Sequence, residues 1–239
     1  MLDLSKITKD NAGKLFDYAI LPKDTTEEII RKECKVAIKY NMKAFCFSSS
    51  YWTAIVAEEL KGTDILVGAA IGFPFGQQSS AVKAFETEEA VRLGATVLDN
   101  VMNVGALKDK KYKEILQEFK DYKKAAGPAI TKMILEVAFL TDEEIATACK
   151  LIAEAGIEWA KTASGQYEGP TLEQVILMVD TLKDTETKVK VSGVKFPRAQ
   201  NAYIFLMAGA ELIGTRDAPK IIDSLDTMRR IGVIPPYKG

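Results

Sequence analysis

Thr131-Lys132-Met133-Ile134-Leu135-Glu136-Val137, Glu158-Trp159-Ala160-Lys161-Thr162 and Lys188-Val189-Lys190-Val191 are three short apolar runs, each interrupted by charge. Runs of this length, rich in Val, Ile and Leu, read as buried strands rather than helices. Between them Asp142–Ala155 and Leu172–Leu182 read as helices, so each strand is followed by a helix before the next strand begins. The same alternation extends outward in both directions. Further strands are expected at Phe16–Leu21, Ala44–Phe47, Ile65–Ile71, Thr96–Met102 and Leu212–Gly214. Further helices are expected at Thr25–Tyr40, Tyr51–Leu60, Ala81–Leu93, Lys110–Ala126, Arg198–Met207 and Pro219–Ile231. Thr25-Thr26-Glu27-Glu28 and Thr141-Asp142-Glu143-Glu144 supply an N-cap hydroxyl with acids in the first turn. Gly94, Gly127, Gly156, Gly209 and Gly232 fall where helices should stop. Eight strand–helix units at about 30 residues each predict an α/β fold, a parallel (β/α)8 barrel. Residues 1–239 are expected to form it as a single domain, since no composition break marks a linker. An open doubly wound sheet shows the same alternation but usually needs fewer strands at this length.

Composition narrows the chemistry. The chain has 32 basic and 33 acidic side chains, and at 47% hydrophobic it can bury a substantial core. A net charge of −1 gives no general electrostatic reason to bind nucleic acid or an anionic membrane. There is no histidine, which excludes Ser-His-Asp and Cys-His nucleophiles, His-ligated metals and an imidazole proton shuttle. Lysine, carboxylate, tyrosine or water must move protons instead. Cys34, Cys46 and Cys149 have no CxxC spacing, so neither a disulfide framework nor a zinc site is expected. The stretch from Met1 to Lys6 lacks the basic-then-apolar run of a signal peptide, and no apolar run is long enough to span a bilayer. The expected location is the cytoplasm.

In a barrel of this kind, side chains at the C-terminal strand ends line the active site. The charges within the apolar strands are therefore singled out: Asp17, Asp99, Lys132, Glu136, Lys161 and Lys190. Each must find a partner or shift its pKa, because a buried unpaired charge costs several kcal/mol, about 3–5 when a pair is broken. Lys132, Lys161 and Lys190 are spaced 29 residues apart, about one strand–helix unit, which places them on successive strands at comparable height. A lysine in apolar surroundings beside another ammonium loses its proton more easily, and the free amine can attack a carbonyl to form a Schiff base. A single lysine at a strand end more often pairs with Asp or Glu. Three at matched spacing favour chemistry, with Asp99 as proton relay, counter-ion or both.

The turns after the last two strands are Val191-Ser192-Gly193-Val194-Lys195 and Ile213-Gly214-Thr215-Arg216-Asp217. Each combines glycine, a hydroxyl and a cation where such barrels often bind phosphate. Other features read as structural. Gly72-Phe73-Pro74-Phe75-Gly76 is a rim-shaping turn, Cys46 a small buried thiol, Trp52 a packing residue, and Tyr122 with Lys123-Lys124 solvated surface.

Several motifs, taken in order, resemble the deoxyribose-phosphate aldolase family: Ile71-Gly72-Phe73-Pro74-Phe75-Gly76; Gly94-Ala95 through Asp99-Asn100-Val101-Met102-Asn103-Val104-Gly105-Ala106-Leu107; Ile134-Leu135-Glu136; Leu140-Thr141-Asp142-Glu143-Glu144-Ile145; and Lys161-Thr162-Ala163-Ser164-Gly165. The likeness runs from about Lys14 to Arg216. It implies a class I aldolase on a (β/α)8 barrel, needing no metal or other cofactor. Such an enzyme cleaves 2-deoxy-D-ribose 5-phosphate reversibly to acetaldehyde and D-glyceraldehyde 3-phosphate. Its partners are then a small sugar phosphate and an aldehyde, with no nucleic acid or membrane, and the resemblance allows a homodimer. Position by position, the resemblance makes Lys161 the Schiff-base lysine. Lys190 becomes the second lysine that depresses its pKa, and Asp99 the relay carboxylate, with an ordered water to shuttle protons. The substrate-binding set is then Asp17, Cys46, Lys132, Ser164, Gly165, Gly193, Val194, Gly214, Thr215 and Arg216, the glycines holding phosphate through backbone.

The chain departs from the family pattern in three places. Asp17-Tyr18-Ala19 stands for Asp-His-Thr. Ser192-Gly193-Val194-Lys195-Phe196-Pro197-Arg198 lacks the second glycine of the family's turn and carries about one extra residue. Gly214-Thr215-Arg216 stands for Gly-Thr-Ser. Arg216, Lys195 or Arg198 could then hold a phosphate by charge. Two alternatives stay open: the same chemistry on a different sugar phosphate, and a barrel that binds a metabolite without catalysis. The joint presence of Lys161, Lys190 and Asp99 argues against the second.

Overall fold

Strands that are apolar on both faces need cover inside and out, and here the sheet closes on itself to provide it. The computed structural model describes residues 2–239; Met1, where the stretch read for a leader begins, lies outside the described residues. β1 (Phe16–Ile20), β2 (Ala44–Phe47), β3 (Leu66–Ile71), β4 (Val97–Val101), β5 (Ile130–Ile134), β6 (Trp159–Lys161), β7 (Lys188–Ser192) and β8 (Leu212–Thr215) pair in chain order. All are parallel, and β8 closes on β1. This is the expected (β/α)8 barrel.

The outer layer begins with α1 (Lys9–Ala12), α2 (Glu27–Lys39), α3 (Thr53–Glu59), α4 (Ser80–Arg92), α5 (Val104–Lys108) and α6 (Tyr112–Ala126). It continues with α7 (Asp142–Glu154), α8 (Leu172–Leu182), α9 (Arg198–Met207), α10 (Ala218–Asp223) and α11 (Leu225–Arg230). Thr141 caps α7 reciprocally: its hydroxyl accepts from Glu144 N–H at 3.3 Å, and Glu144 accepts from Thr141 N–H at 2.8 Å. The five glycines expected as helix stops all have positive φ, from +54° at Gly127 to +106° at Gly209.

Several expectations need correction. The last helix is split at Ser224, whose hydroxyl donates to Ile221 O at 2.7 Å and competes with the helical ladder. α5 interrupts what read as loop; Asn103 caps it by accepting from Ala106 N–H at 3.1 Å. β5 stops at Ile134, so Glu136 is not a strand residue: it has φ 58° and ψ 60°, the left-handed region. Tyr122 is not surface. It is buried behind the barrel, and its hydroxyl donates to Leu98 O at 2.8 Å and Lys132 O at 3.3 Å. Trp52 packs against the core from the start of α3, as expected.

The two faces of the sheet are built differently. Outward side chains such as Phe16, Phe45, Leu98, Met133, Val191 and Ile213 join the helices in one apolar core. Inside, Ala44, Cys46 and Val97, with Ala19, Leu66 and Ile130 against them, form a small apolar group. Two residues along from Val97 and Ile130 come Asp99 and Lys132, so the centre of the barrel is filled by charges rather than branched aliphatics.

The Tyr122 hydroxyl ties α6 to the two strands that carry Asp99 and Lys132. Tyr122→Phe should therefore lower unfolding free energy by about 1 kcal/mol in urea titration without changing the m-value. A variant as stable as the parent would show that the bond contributes nothing.

Candidate active site

A cavity of about 420 Å³ opens at the C-terminal ends of the strands. Its floor contains Lys161, Lys190 and Asp99 with Cys46 and Ala70, and its walls come from the loops after β1, β3, β6, β7 and β8. Asp17 and Lys132 do not line it; they lie underneath.

The charges form one connected cluster. Lys161 Nζ donates to Asp99 Oδ2 at 2.5 Å. Lys190 Nζ donates to the same oxygen at 2.9 Å and to Asp17 Oδ2 at 2.5 Å. Lys132 reaches across the barrel to Asp17 and stands 3.7 Å from Asp99 Oδ1. Exposure grades upward, from 0% at Asp17 and 1% at Lys190 to 8% at Lys161, so the ammonium nearest the cavity is that of Lys161.

Matched sequence spacing does not give matched height for all three lysines. Lys161 pairs with Lys190 across β6 and β7, but on the other side it pairs with Ile134. Lys132 sits two residues lower, opposite Trp159 and Asp99. The helix and loops between β5 and β6 set that offset, and it turns Lys132 into a buried strut beneath the floor.

Two ammonium groups suffice to balance the two carboxylates, so the cluster holds its third lysine proton least tightly. Burial lowers the Lys161 pKa; Asp99 opposes this, and the Lys190 charge adds to it. Lys190 is raised instead, because Asp17 and Asp99 together outweigh the effect of its burial. Asp99 lies well below the usual carboxylate range despite burial, held there by Lys161, Lys190 and Lys132. Asp17 is lowered against its own burial by Lys132 and Lys190. The arrangement sets one amine that gives up its proton readily beside an ammonium that keeps it. Burial pushes the Cys46 thiol up to about 12, so at neutral pH it is a thiol, not a nucleophile.

The surrounding chain holds these groups in place. Thr162 Oγ1 accepts from Ser192 N–H at 3.0 Å and donates to Ser192 O at 3.1 Å, extending the β6–β7 ladder just past Lys161. The end of β4 is held from behind by the buried Lys83, which donates to Val101 O at 2.8 Å and Glu118 at 2.7 Å. Glu136, turned by its left-handed backbone, accepts from Ser164 N–H with both oxygens at 3.1 and 3.3 Å. It thereby anchors the loop after β6. Gly214 must lack a side chain, since a Cβ there would lie 2.3 Å from Ser192 Oγ and 3.0 Å from Lys190 Cε.

Cys46, Ser164, Gly165, Gly193, Val194, Gly214, Thr215 and Arg216 are all brought to the cavity with the three expected catalytic groups. Sequence reasoning missed Lys23, Phe47, Gln166 and Tyr167, and assigned Phe73 only to the rim, yet all of these line it. Apart from Phe47, the last residue of β2, these lie in loops, which carry no periodicity from which an inward direction could be read. Among the described residues, no group of three or more Cys, Asp or Glu is placed to hold a metal ion. No helix among them is long and apolar enough to cross a membrane.

A family profile described as DeoC/LacD family aldolase matches residues 14–204. The chain is similar to deoxyribose-phosphate aldolase 1 of Mesoplasma florum, at 40% identity over 88% of this chain and 94% of the relative. It is similar to the deoxyribose-phosphate aldolase of Clostridium novyi at 39% identity, over 89% and 96% of the two chains. Among solved structures, an aldolase named QR15 superposes with TM-score 0.84 at 31% identity, covering 93% of this chain and 99% of that one. A deoxyribose phosphate aldolase from Aeropyrum pernix, described as tetrameric, shares the fold with TM-score 0.83 at 24% identity, covering 92% and 93%.

Because Asp99 is the carboxylate that favours the charged form of Lys161, Asp99→Asn should move deprotonation of Lys161 to lower pH. The expected displacement is about one unit or more, an interaction of roughly 1.4 kcal/mol. Mass-spectrometric measurement of amine-selective labelling at Lys161 against pH checks this; an unchanged or higher midpoint contradicts it.

Proposed function

The chain belongs to the DeoC/LacD aldolase family, and from that membership we propose that it cleaves 2-deoxy-D-ribose 5-phosphate to acetaldehyde and D-glyceraldehyde 3-phosphate, reversibly, through a Schiff base on Lys161. As a family member it is an aldehyde-lyase. The observation that carries the assignment of residues is the direct contact of Lys161 with Asp99, and of Asp99 with Lys190, at the cavity floor.

In this reading the free amine of Lys161 attacks the aldehyde carbon, and loss of water gives an iminium. The hydroxyl on the third carbon gives up its proton as the bond between the second and third carbons breaks. The electron pair flows into the iminium to leave an enamine, and glyceraldehyde 3-phosphate departs. Protonation of the enamine carbon and hydrolysis release acetaldehyde and restore the amine. Asp99, fully ionised beside the nitrogen, stabilises the positive iminium. Lys190, whose ammonium is held by both aspartates, supplies and recovers protons through Asp99. No imidazole is needed.

The cavity's charge suits an anionic substrate. Among its described lining residues are six basic side chains, Lys23, Lys161, Lys190, Lys195, Arg198 and Arg216, against one carboxylate, Asp99. Such an imbalance in a concave site focuses a positive potential on entering anions. Residues 1–239 then act as one catalytic domain in the cytoplasm, with a homodimer as the simplest assembly.

Borohydride reduction in the presence of acetaldehyde should leave an N-ethyl group on Lys161, and Lys161→Ala should take up none at the site. Cleavage of deoxyribose 5-phosphate, followed through glyceraldehyde 3-phosphate release, should fall to background in the same variant. An adduct elsewhere, or undiminished turnover, overturns the assignment of Lys161. If another sugar phosphate is turned over faster, the substrate is corrected and the chemistry stands.

A further inference from the structure

We propose that Lys83 is a positioning residue. From behind the barrel it holds the end of β4 against the loop after β3, and thereby fixes Asp99 in the cavity floor. What Asp99 then does for the reaction rests on the aldolase reading of the cavity.

The first turns of α4 are built inside out. A helix packed on a barrel turns apolar side chains inward, yet Lys83 and Thr87 are wholly buried while Val82 and Phe85 are exposed. Burying a lysine is costly even when it is paired, so stability alone does not account for one at this position. Burial lowers the Lys83 pKa and raises that of Glu118, in each case against the attraction of the other.

The contacts of Lys83 converge on one strand end. The register of β3 with β4 stops at Ile71 and Asn100, so Val101 has a strand neighbour only on the β5 side. Lys83 Nζ gives Val101 O a donor at 2.8 Å, and its charge is met by Glu118 on α6 at 2.7 Å. The Lys83 stem also packs on the loop after β3, where a Cβ on Gly72 would lie 3.2 Å from Lys83 Cε. One turn further along α4, Glu86 accepts from Gly72 N–H at 2.8 Å. Gly76 N–H closes the loop on Gly72 O at 2.8 Å, and Phe73 between them lines the cavity. α4 thus seats the turn from Gly72 to Gly76 and the end of β4 as one body.

Asp99 is bracketed as a result. Tyr122 donates to Leu98 O on one side of it, and Lys83 donates to Val101 O on the other. A shift of the strand between these two points carries with it the carboxylate that meets Lys161 and Lys190. Misplacing a reacting group by about 1 Å can cost on the order of 100-fold in rate, so a hold of this kind acts on turnover.

The test compares Lys83→Met, the double variant Lys83→Met with Glu118→Met, and Glu118→Gln. Lys83→Met leaves Glu118 buried without its partner, whereas the double variant removes the pair together and should be the more stable of the two in urea titration. Both lack the donor to Val101 O, and Glu118→Gln keeps it. Cleavage of deoxyribose 5-phosphate should therefore fall on the order of 10-fold in both Lys83 variants and be nearly retained in Glu118→Gln. The loss should lie mainly in kcat, since Glu86 still holds Gly72. Asp99 favours the charged form of Lys161, and burial and Lys190 oppose it. The midpoint of amine-selective labelling at Lys161 should accordingly move to lower pH in both Lys83 variants, by less than in Asp99→Asn. A kcat loss that follows stability instead of the missing amine, an unmoved midpoint, or failure of both Lys83 variants to fold overturns the assignment. The midpoint reads the hold on Asp99 without any turnover, so the two readings fail separately. A shifted midpoint with no wild-type cleavage sinks only the substrate assignment, and cleavage with an unmoved midpoint sinks this inference alone.

Discussion

Two carboxylates buried at the centre of a closed barrel must be neutralised by cations from the same interior, and much of this structure follows from that requirement. Asp17 and Asp99 come from β1 and β4, while Lys132, Lys161 and Lys190 come from β5, β6 and β7, so the hydrogen-bonded ion pairs join strands that are not neighbours. A side chain that crosses the barrel needs room. Several interior positions around the cluster are accordingly small: Ala19, Ala44, Cys46, Gly68, Ala70 and Gly214. Leu66, Val97 and Ile130 keep one aliphatic layer inside the barrel, and beyond it lysine stems and paired charges stand where further aliphatic layers usually lie.

A cluster of this kind is weak as a source of stability, because desolvating five charges offsets most of what their attraction returns. Its consequence is chemical. Three lysines share two carboxylates, and the one with the fewest carboxylate contacts and the most contact with the cavity is Lys161. Lys190 touches both aspartates and keeps its proton; Lys161 touches one and is depressed by burial. In the proposed reaction the division between nucleophile and proton donor follows from where each lysine sits among the aspartates.

The elements that carry this chemistry were readable because strand-end charges in apolar runs have few innocent explanations. Lys161, Lys190 and Asp99 stood out on that ground, and the eight-fold alternation placed them at one end of a barrel. What sequence spacing could not supply was register: equal intervals of 29 residues put Lys161 level with Lys190 but left Lys132 two residues lower. Glu136 was read as the end of a strand because its neighbours are apolar, whereas a left-handed turn aims its carboxylate at Ser164. Tyr122 was read as surface because it adjoins Lys123 and Lys124. Its hydroxyl finds strand carbonyls only when the helix packs down. Each miss concerns direction or depth, which tertiary packing decides.

The departures from the family pattern also separate once direction is known. Tyr18, standing where the family has histidine, faces the helix layer, and its hydroxyl donates to Glu33 on α2. That change leaves the cavity untouched. Ala19 and Arg216 do line the cavity, and they adjoin Tyr18 and Thr215, which are register partners on neighbouring strands. Two hydroxyl positions of the family have thus become a methyl and a guanidinium on one side of the cavity mouth. The pocket has exchanged hydrogen bonding for charge there, while the amine, its carboxylate and the second lysine are unaltered. In the proposed reaction, divergence at that wall and in the loop after β7 bears on what the substrate's tail must carry, not on how its carbon–carbon bond is broken.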